Sequence, residues 1–353
     1  MPEPLAMSMS LTLPDKNPPS PPFIKRGMGG CSTQSRAVTS CAVVVLGAGR
    51  SGTSAVTRGL QALEVDLGDK LRPGRGKNPT GFFEDQDLLA LNKRLKRLLN
   101  MTGESVRLIA KEQWQAQEIR ALQDEAGETI RRRFGTRALW GYKYGRTLRF
   151  LPFWENVFQS LDLDVRYVVA LRNPLSVACS RAKLDPQRGT QEKSDLEWLV
   201  NVVPYFREVT KRPFVVVDYD AVMADPVAQL KRIAASLHLP DAPEALLKNY
   251  TKEFLRPNMR HSTFTIGDLE GDDRVNPLTK DAYGWLHRLA HDEVKPDSPE
   301  LWKDWQRIEK ALEALASVLR HIDQVQHDLR CAQRHILGPL QALPQAWRAV
   351  RGR

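Results

Sequence analysis

The chain is poor in cysteine: Cys31, Cys41, Cys179 and Cys331 are its four, and no two of them form a CxxC pair. That spacing suggests neither a zinc site nor a disulfide framework, and it fits a reducing, cytoplasmic setting. No apolar run approaches the ~18 residues that a membrane-spanning helix requires. The start, MPEPLAMSMSLTLPDKNPPSPP, lacks a positive stretch followed by an apolar one, so no secretory signal is expected. No internal repeat is visible. Negative charge is also short: 52 Lys and Arg stand against 42 Asp and Glu, a formal net charge of +10. Such an excess favours polyanionic ligands, nucleic acid or an anionic membrane surface, without choosing among them.

What is present describes a folded protein. A hydrophobic fraction of 42% and a charged fraction of 27% sit near the globular average, so a sizeable core is expected, and 353 residues permit one large α/β domain with appendages. Residues 1–39, rich in Pro, Ser and Gly, cannot bury enough apolar surface to order themselves and read as a flexible tail. The main domain is expected over 40–295. It opens on Ala42-Val43-Val44-Val45-Leu46, a short β-branched run stopped by glycine, as in a buried parallel strand. Helical spacing follows over Ala55–Leu63, and the runs Val165–Leu171 and Phe214–Val217 alternate with helical segments, the pattern of a parallel sheet covered on both faces.

The stretch Gly47-Ala48-Gly49-Arg50-Ser51-Gly52-Thr53-Ser54 joins the first strand to its helix. Its glycines let backbone amides turn inward, and a helix start leaves N–H groups free to bind an anion. The glycine spacing is that of a Walker A loop, but Thr53 stands where the lysine belongs, so a nucleotide-kinase reading loses its main cation. Arg50 restores a positive charge inside the turn and adds a planar fork of donors suited to phosphate or sulfate. In this loop the chain resembles the sulfotransferases that use 3′-phosphoadenosine 5′-phosphosulfate (PAPS), in which a G-x-x-R-S-G-T-[ST] segment binds the 5′-phosphosulfate. The resemblance implies that Gly49, Arg50, Ser51, Gly52, Thr53 and Ser54 hold the 5′ end of the donor. It also implies a three-layer, P-loop NTPase-like α/β fold with a central parallel sheet.

Further segments extend that resemblance. The family places an arginine at the end of a later strand and a serine eight positions on, together binding the donor's 3′-phosphate; here these are Arg172 and Ser180. A bidentate cation and a hydroxyl at the carboxyl edge of a sheet suit that task, although Arg172 alone would read as a strand-end surface charge. Asn78-Pro79-Thr80-Gly81-Phe82-Phe83-Glu84-Asp85 is similar to an N-P-x-G-[FYW]-[FW]-E-[DS] segment of a bacterial branch, which makes Glu84 the candidate general base. The plainer alternative is that Glu84 or Asp85 caps a helix starting near Asp87. Trp140-Gly141-Tyr142-Lys143-Tyr144-Gly145-Arg146 resembles W-G-x-K-[DE]-P-R with two departures, Tyr144 and Gly145, and leaves Lys143 and Arg146 to neutralise charge on the sulfuryl oxygens. Leu255–His261 resembles a basic segment near the nucleotide, adding Arg260 as a donor-binding residue and His261 as a lesser alternative base. The stretch from Asp218 through the helix ending near Leu237 reads as architectural.

The implied reaction transfers a sulfuryl group from PAPS to a hydroxyl or amine of a glycan, lipid or small molecule. No metal is implied, and turnover insensitive to EDTA is expected. A P-loop small-molecule kinase and a non-catalytic nucleotide-binding scaffold are the rival readings. Basic clusters such as Lys93-Arg94 and Arg131-Arg132-Arg133 lack the interleaved aromatics of a nucleic-acid surface. Acceptor choice is expected in the loop Leu184–Asp195. Beyond it, 296–337 is expected to be helical, with Ile308, Leu312, Leu315, Leu319, Ile322 and Leu329 at three-four spacing. That seam serves either a coiled-coil homodimer or docking on the chain's own domain. The basic tail 338–353 is a candidate for contact with acidic headgroups.

Overall fold

The computed structural model describes residues 40–74, 81–255 and 262–332. Arg260, His261, Asn78-Pro79-Thr80 and the two tails lie outside the described residues. In chain order the elements begin β1 (Cys41–Leu46), α1 (Thr53–Leu60), α2 (Gln86–Leu98), α3 (Gln117–Phe134), β2 (Leu139–Lys143), α4 (Leu151–Ser160), β3 (Asp164–Leu171), α5 (Pro174–Ala182) and α6 (Gln191–Val202). They continue α7 (Phe206–Val209), β4 (Phe214–Asp218), α8 (Tyr219–Ala224), α9 (Pro226–Ser236), α10 (Glu244–Asn249), α11 (Ile266–Gly271), α12 (Pro277–Ala290) and α13 (Pro299–Ala314), after which 316–332 is again helical.

The four strands form one all-parallel sheet in the order β2-β1-β3-β4. Side chains alternate across a strand, so each strand feeds two cores. Ala42, Val44 and Leu46 of β1 join Tyr167, Val169 and Leu171 of β3 in a large cluster with α2, α3, α4, α6 and α12. Val43 and Val45 join Val168 and Ala170 in a second cluster with α1, α8 and α9. Helices therefore cover both faces, giving the three-layer α/β fold that the strand pattern predicted. No helix among the described residues is long and apolar enough to cross a membrane.

Register positions the site. Val45 lies opposite both Lys143 and Val168, and Leu171 lies opposite Asp218, so all four strands end along one edge. β1 lies between β2 and β3, so the order switches at its carboxyl end, the usual ligand position in such sheets. The glycine-rich loop follows β1 and Arg172 follows β3.

The seam beyond residue 296 resolves in favour of docking over most of its length. Leu301, Trp305, Ile308, Leu312 and Leu319 are buried in the large cluster, with Leu315 and Ile322 packed against it. Val325 and Leu329 are exposed.

Candidate active site

The loop after β1 is shaped by close approach. At Gly47 a Cβ would meet the Ala170 carbonyl oxygen at 2.6 Å, and at Gly52, whose φ is +81°, a Cβ would sit 2.1 Å from the Tyr219 ring. Only glycine fits either place. Arg50 also holds a positive φ, 78°, an unusual backbone state for a side chain of that size and one that clusters at functional sites. The Ser51 hydroxyl is buried with no hydrogen-bond partner among the described residues, at the point where α1 opens with free N–H groups. A buried hydroxyl without a partner is costly unless a ligand supplies one, and an anionic oxygen would. Thr53 is buried and Ser54 half-buried on the first turn of α1.

The structure brings the first two motifs together. Arg50 is exposed and its Nε donates to Ser180 Oγ at 3.0 Å. Partial desolvation, then the charges of Arg172 and Arg188, push its guanidinium below the ordinary arginine range. Arg172 is buried, with its guanidinium 4.6 Å from the centre of the Tyr219 ring, and is therefore no ordinary surface charge. Asn173 beside it caps α5 by accepting from the Leu175 N–H at 3.0 Å, and its amide donates to the carbonyls of Phe264 and Thr265 at 3.1 and 3.0 Å. That double use fixes the turn on which Arg172 sits.

Glu84 and Lys143 meet at the end of β2. Lys143 Nζ lies 3.2 Å from Glu84 Oε1, both groups are buried, and Arg72 Nη1 donates to Glu84 Oε2 at 3.1 Å. Burial pushes the Lys143 ammonium below the usual lysine range, against the pull of Glu84 and with the help of Arg72 and Arg50. Arg72 in turn stacks 3.9 Å over the Phe82 ring. The carboxylate is thus held between two cations and not by apolar contact alone. The capping role belongs to Asp85: its Oδ1 accepts from the N–H groups of Asp87 and Leu88 at 3.0 and 3.1 Å, and its Oδ2 accepts from Arg133 at 2.6 Å.

Arg146 donates through one terminal nitrogen to the Gly103 carbonyl. One expectation needs correction. The stretch Leu184–Asp195 is not a loop throughout: Thr190 caps α6, which starts at Gln191, and Asp195 is fully buried.

No family model matches the chain, and no curated protein does. Solved structures do match, at low similarity. The sulfotransferase domain of the Synechococcus PCC 7002 olefin synthase is 16% identical, with 78% of this chain and 95% of that one covered and a TM-score of 0.38. A Mycobacterium tuberculosis sulfotransferase is 15% identical over 64% of this chain and 74% of its own, with a TM-score of 0.37. The sulfotransferase domain from the curacin biosynthetic pathway is 14% identical over 78% and 98%, with a TM-score of 0.36. All three are sulfotransferases. Likeness this distant carries no residue roles, which rest on the geometry above.

Several residues at this edge escaped the sequence reading. Arg181 is buried, donates to Ser194 at 2.7 Å through the carbonyl and 3.0 Å through the hydroxyl, and reaches the Gly49 carbonyl at 3.5 Å. Burial lowers it to about 10, with Glu197 opposing. Arg188 forks onto Glu197 at 2.8 and 2.7 Å; burial pushes the Glu197 carboxyl up, but those hydrogen bonds together with the charges of Arg181, Arg188 and Lys193 hold it below the usual range. Arg72, Arg181 and Arg188 fit no motif; the signal the sequence offered for them was its positive net charge. Tyr219 lay in the stretch read as architectural, yet its ring touches both Gly52 and Arg172.

Proposed function

We propose that the chain is a PAPS-dependent sulfotransferase, moving a sulfuryl group to a hydroxyl or amine of an acceptor. The observation that carries this reading is the joining of the glycine-rich loop to α5: Arg50 bonds Ser180 beside Arg172, so cations and hydroxyls from two separate motifs share one crevice. A kinase reading asks for a Walker lysine, and Thr53 stands in its place. A scaffold without chemistry has no need of the buried Lys143–Glu84 pair at the same sheet edge.

On this reading the loop amides, Ser51, Thr53 and Ser54 bind the 5′ end of the donor, and Arg172 with Ser180 binds its 3′-phosphate. Arg50 has Nε on Ser180, which leaves its terminal nitrogens as donors toward sulfuryl oxygens. In the displacement, the acceptor oxygen or nitrogen bonds to sulfur as the bond from sulfur to the bridging phosphate oxygen breaks. Glu84 takes the acceptor proton, which requires it to give up a contact with Arg72 or Lys143. Lys143 and Arg50 stabilise the charge left on the phosphate, and 3′,5′-bisphosphoadenosine departs. A homodimer through the C-terminal helix would have to use its exposed positions, Val318, Val325 and Leu329.

The test is thermal denaturation of the full chain with 3′,5′-bisphosphoadenosine or with magnesium-ATP. A ligand at 100 times its Kd stabilises by about 2.7 kcal/mol. The bisphosphate is expected to raise Tm and ATP not to, with the rise reduced in Arg172→Ala and in Ser180→Ala. Stabilisation by magnesium-ATP with ATP hydrolysis would sink the reading.

A further inference from the structure

At the outer end of the same sheet edge, Asp218, His287 and His291 each offer one ligand atom, and these atoms lie within 4.8 Å of one another. We infer that they form a binding site for a borderline transition-metal ion of the zinc or cobalt type. His287 lies in the last turn of α12 and His291, four residues on, is its C-cap, so the two rings fall on one side, with centres 4.3 Å apart. Asp218 closes β4 and caps α8: its Oδ1 accepts from the Asp220 N–H at 2.9 Å, which orients Oδ2 toward His291 Nε2, 3.3 Å away.

That spacing suits a metal. Bonds of about 2.0–2.2 Å place the ligand atoms of a tetrahedral ion roughly 3.3–3.6 Å apart, a range that Asp218 Oδ2 and His291 Nε2 already meet at 3.3 Å. The backbone N–H on Oδ1 is the kind of outer hydrogen bond that fixes a ligating carboxylate. A set of two imidazoles and one carboxylate selects zinc or cobalt over magnesium or calcium, which prefer all-oxygen cages. His291 is exposed and His287 half-buried, so an ion can enter and a water can complete its coordination. No hydrogen bond from a described residue engages the His287 ring nitrogens. The neighbouring cations are committed elsewhere: Arg232 to Asp292 at 2.6 Å and Arg288 to the Trp285 ring at 4.5 Å.

Such an ion ties β4 to α12, two elements joined by side-chain packing and by Arg232, which donates to the carbonyls of Val216 and Leu289 at 2.8 and 3.1 Å. It would fix the residue before Tyr219, the ring against which the glycine-rich loop packs. The site owes nothing to the sulfotransferase reading and stands or falls apart from it.

The experiment titrates the tag-free full chain with Co²⁺ and with Zn²⁺, following visible absorption for cobalt, calorimetry for zinc and melting temperature for both. One equivalent is expected to bind, cobalt giving visible ligand-field bands, with a rise in Tm that EDTA reverses and magnesium does not mimic. His287→Gln and His291→Gln should each weaken binding by at least about tenfold. Cys331→Ser removes a sulfur and imidazole pairing elsewhere among the described residues, Cys331 with His327, and should leave the titration unchanged. Lack of saturable binding by the wild-type chain overturns the proposal, whatever the variants do. So does binding that survives in His291→Gln, an exposed position where folding is not at stake.

Discussion

Single residues at the sheet edge do work that their position in the sequence does not announce. Glu84 is the clearest case, because the same side chain can serve as a proton acceptor and as the counter-charge of Lys143 and Arg72. Glu84→Gln separates these roles. It keeps the shape and hydrogen-bonding oxygen but cannot take a proton, so sulfuryl transfer is expected to fall by about 10²–10⁴-fold. The affinity for 3′,5′-bisphosphoadenosine, measured by calorimetry, should stay within a few-fold of the wild type. Transfer unaffected by the change would remove Glu84 as the base and leave it a partner of Lys143. The motif around Glu84 was legible because glycine, aromatics and acid recur there in a fixed order. The pairing with its two cations was not, since only folding makes Arg72 and Lys143 neighbours of Glu84.

Elements were legible where one physical signal dominated. β1 and β3 announced themselves as mainly apolar runs, and α5 by the Asn173-Pro174 start, because buried strands and proline-led helices leave strong local marks. β2 was missed: Trp140-Gly141-Tyr142-Lys143 carries a glycine and a charge, and its lysine is tolerated only because Glu84 meets it. The apolar seam from Leu301 to Ile322 showed the right period but could not declare its partner, which proved to be the chain's own core. Trp305, fully buried beside Phe206 at a ring distance of 4.8 Å, is the anchor of that docking. Trp305→Ala should cost about 3–5 kcal/mol by denaturant unfolding. A loss within ±0.5 kcal/mol would mean that α13 is not docked.

At the level of the whole molecule, stability carries a pH signature centred on Asp195. Burial raises its carboxyl to about 7, against hydrogen bonds from the Asn276 N–H at 2.8 Å and Gln191 at 2.7 Å. A folded-state value above the unfolded one means the native protein holds the proton more tightly. The contribution is therefore fully present below the unfolded value and is lost as pH rises through about 7. Between pH 5 and 8 the loss is about 2–3 kcal/mol. In Asp195→Asn the difference in Tm from the wild type should accordingly shift by roughly 5 °C across that interval, in favour of the variant at the higher pH. A difference that stays constant with pH would show that Asp195 titrates below the range scanned.

The sequence by itself determined the parallel sheet and the glycine-rich turn, because each is written in local periodicity or in residues a few positions apart. Tertiary structure alone decided that Arg50 reaches Ser180, that Glu84 sits between Lys143 and Arg72, and that Asp218 faces His287 and His291. The reason is one of distance along the chain. Strand register and helix packing bring those groups together from segments that share no local pattern, and an ion pair or ligand set exists only once both halves are in place.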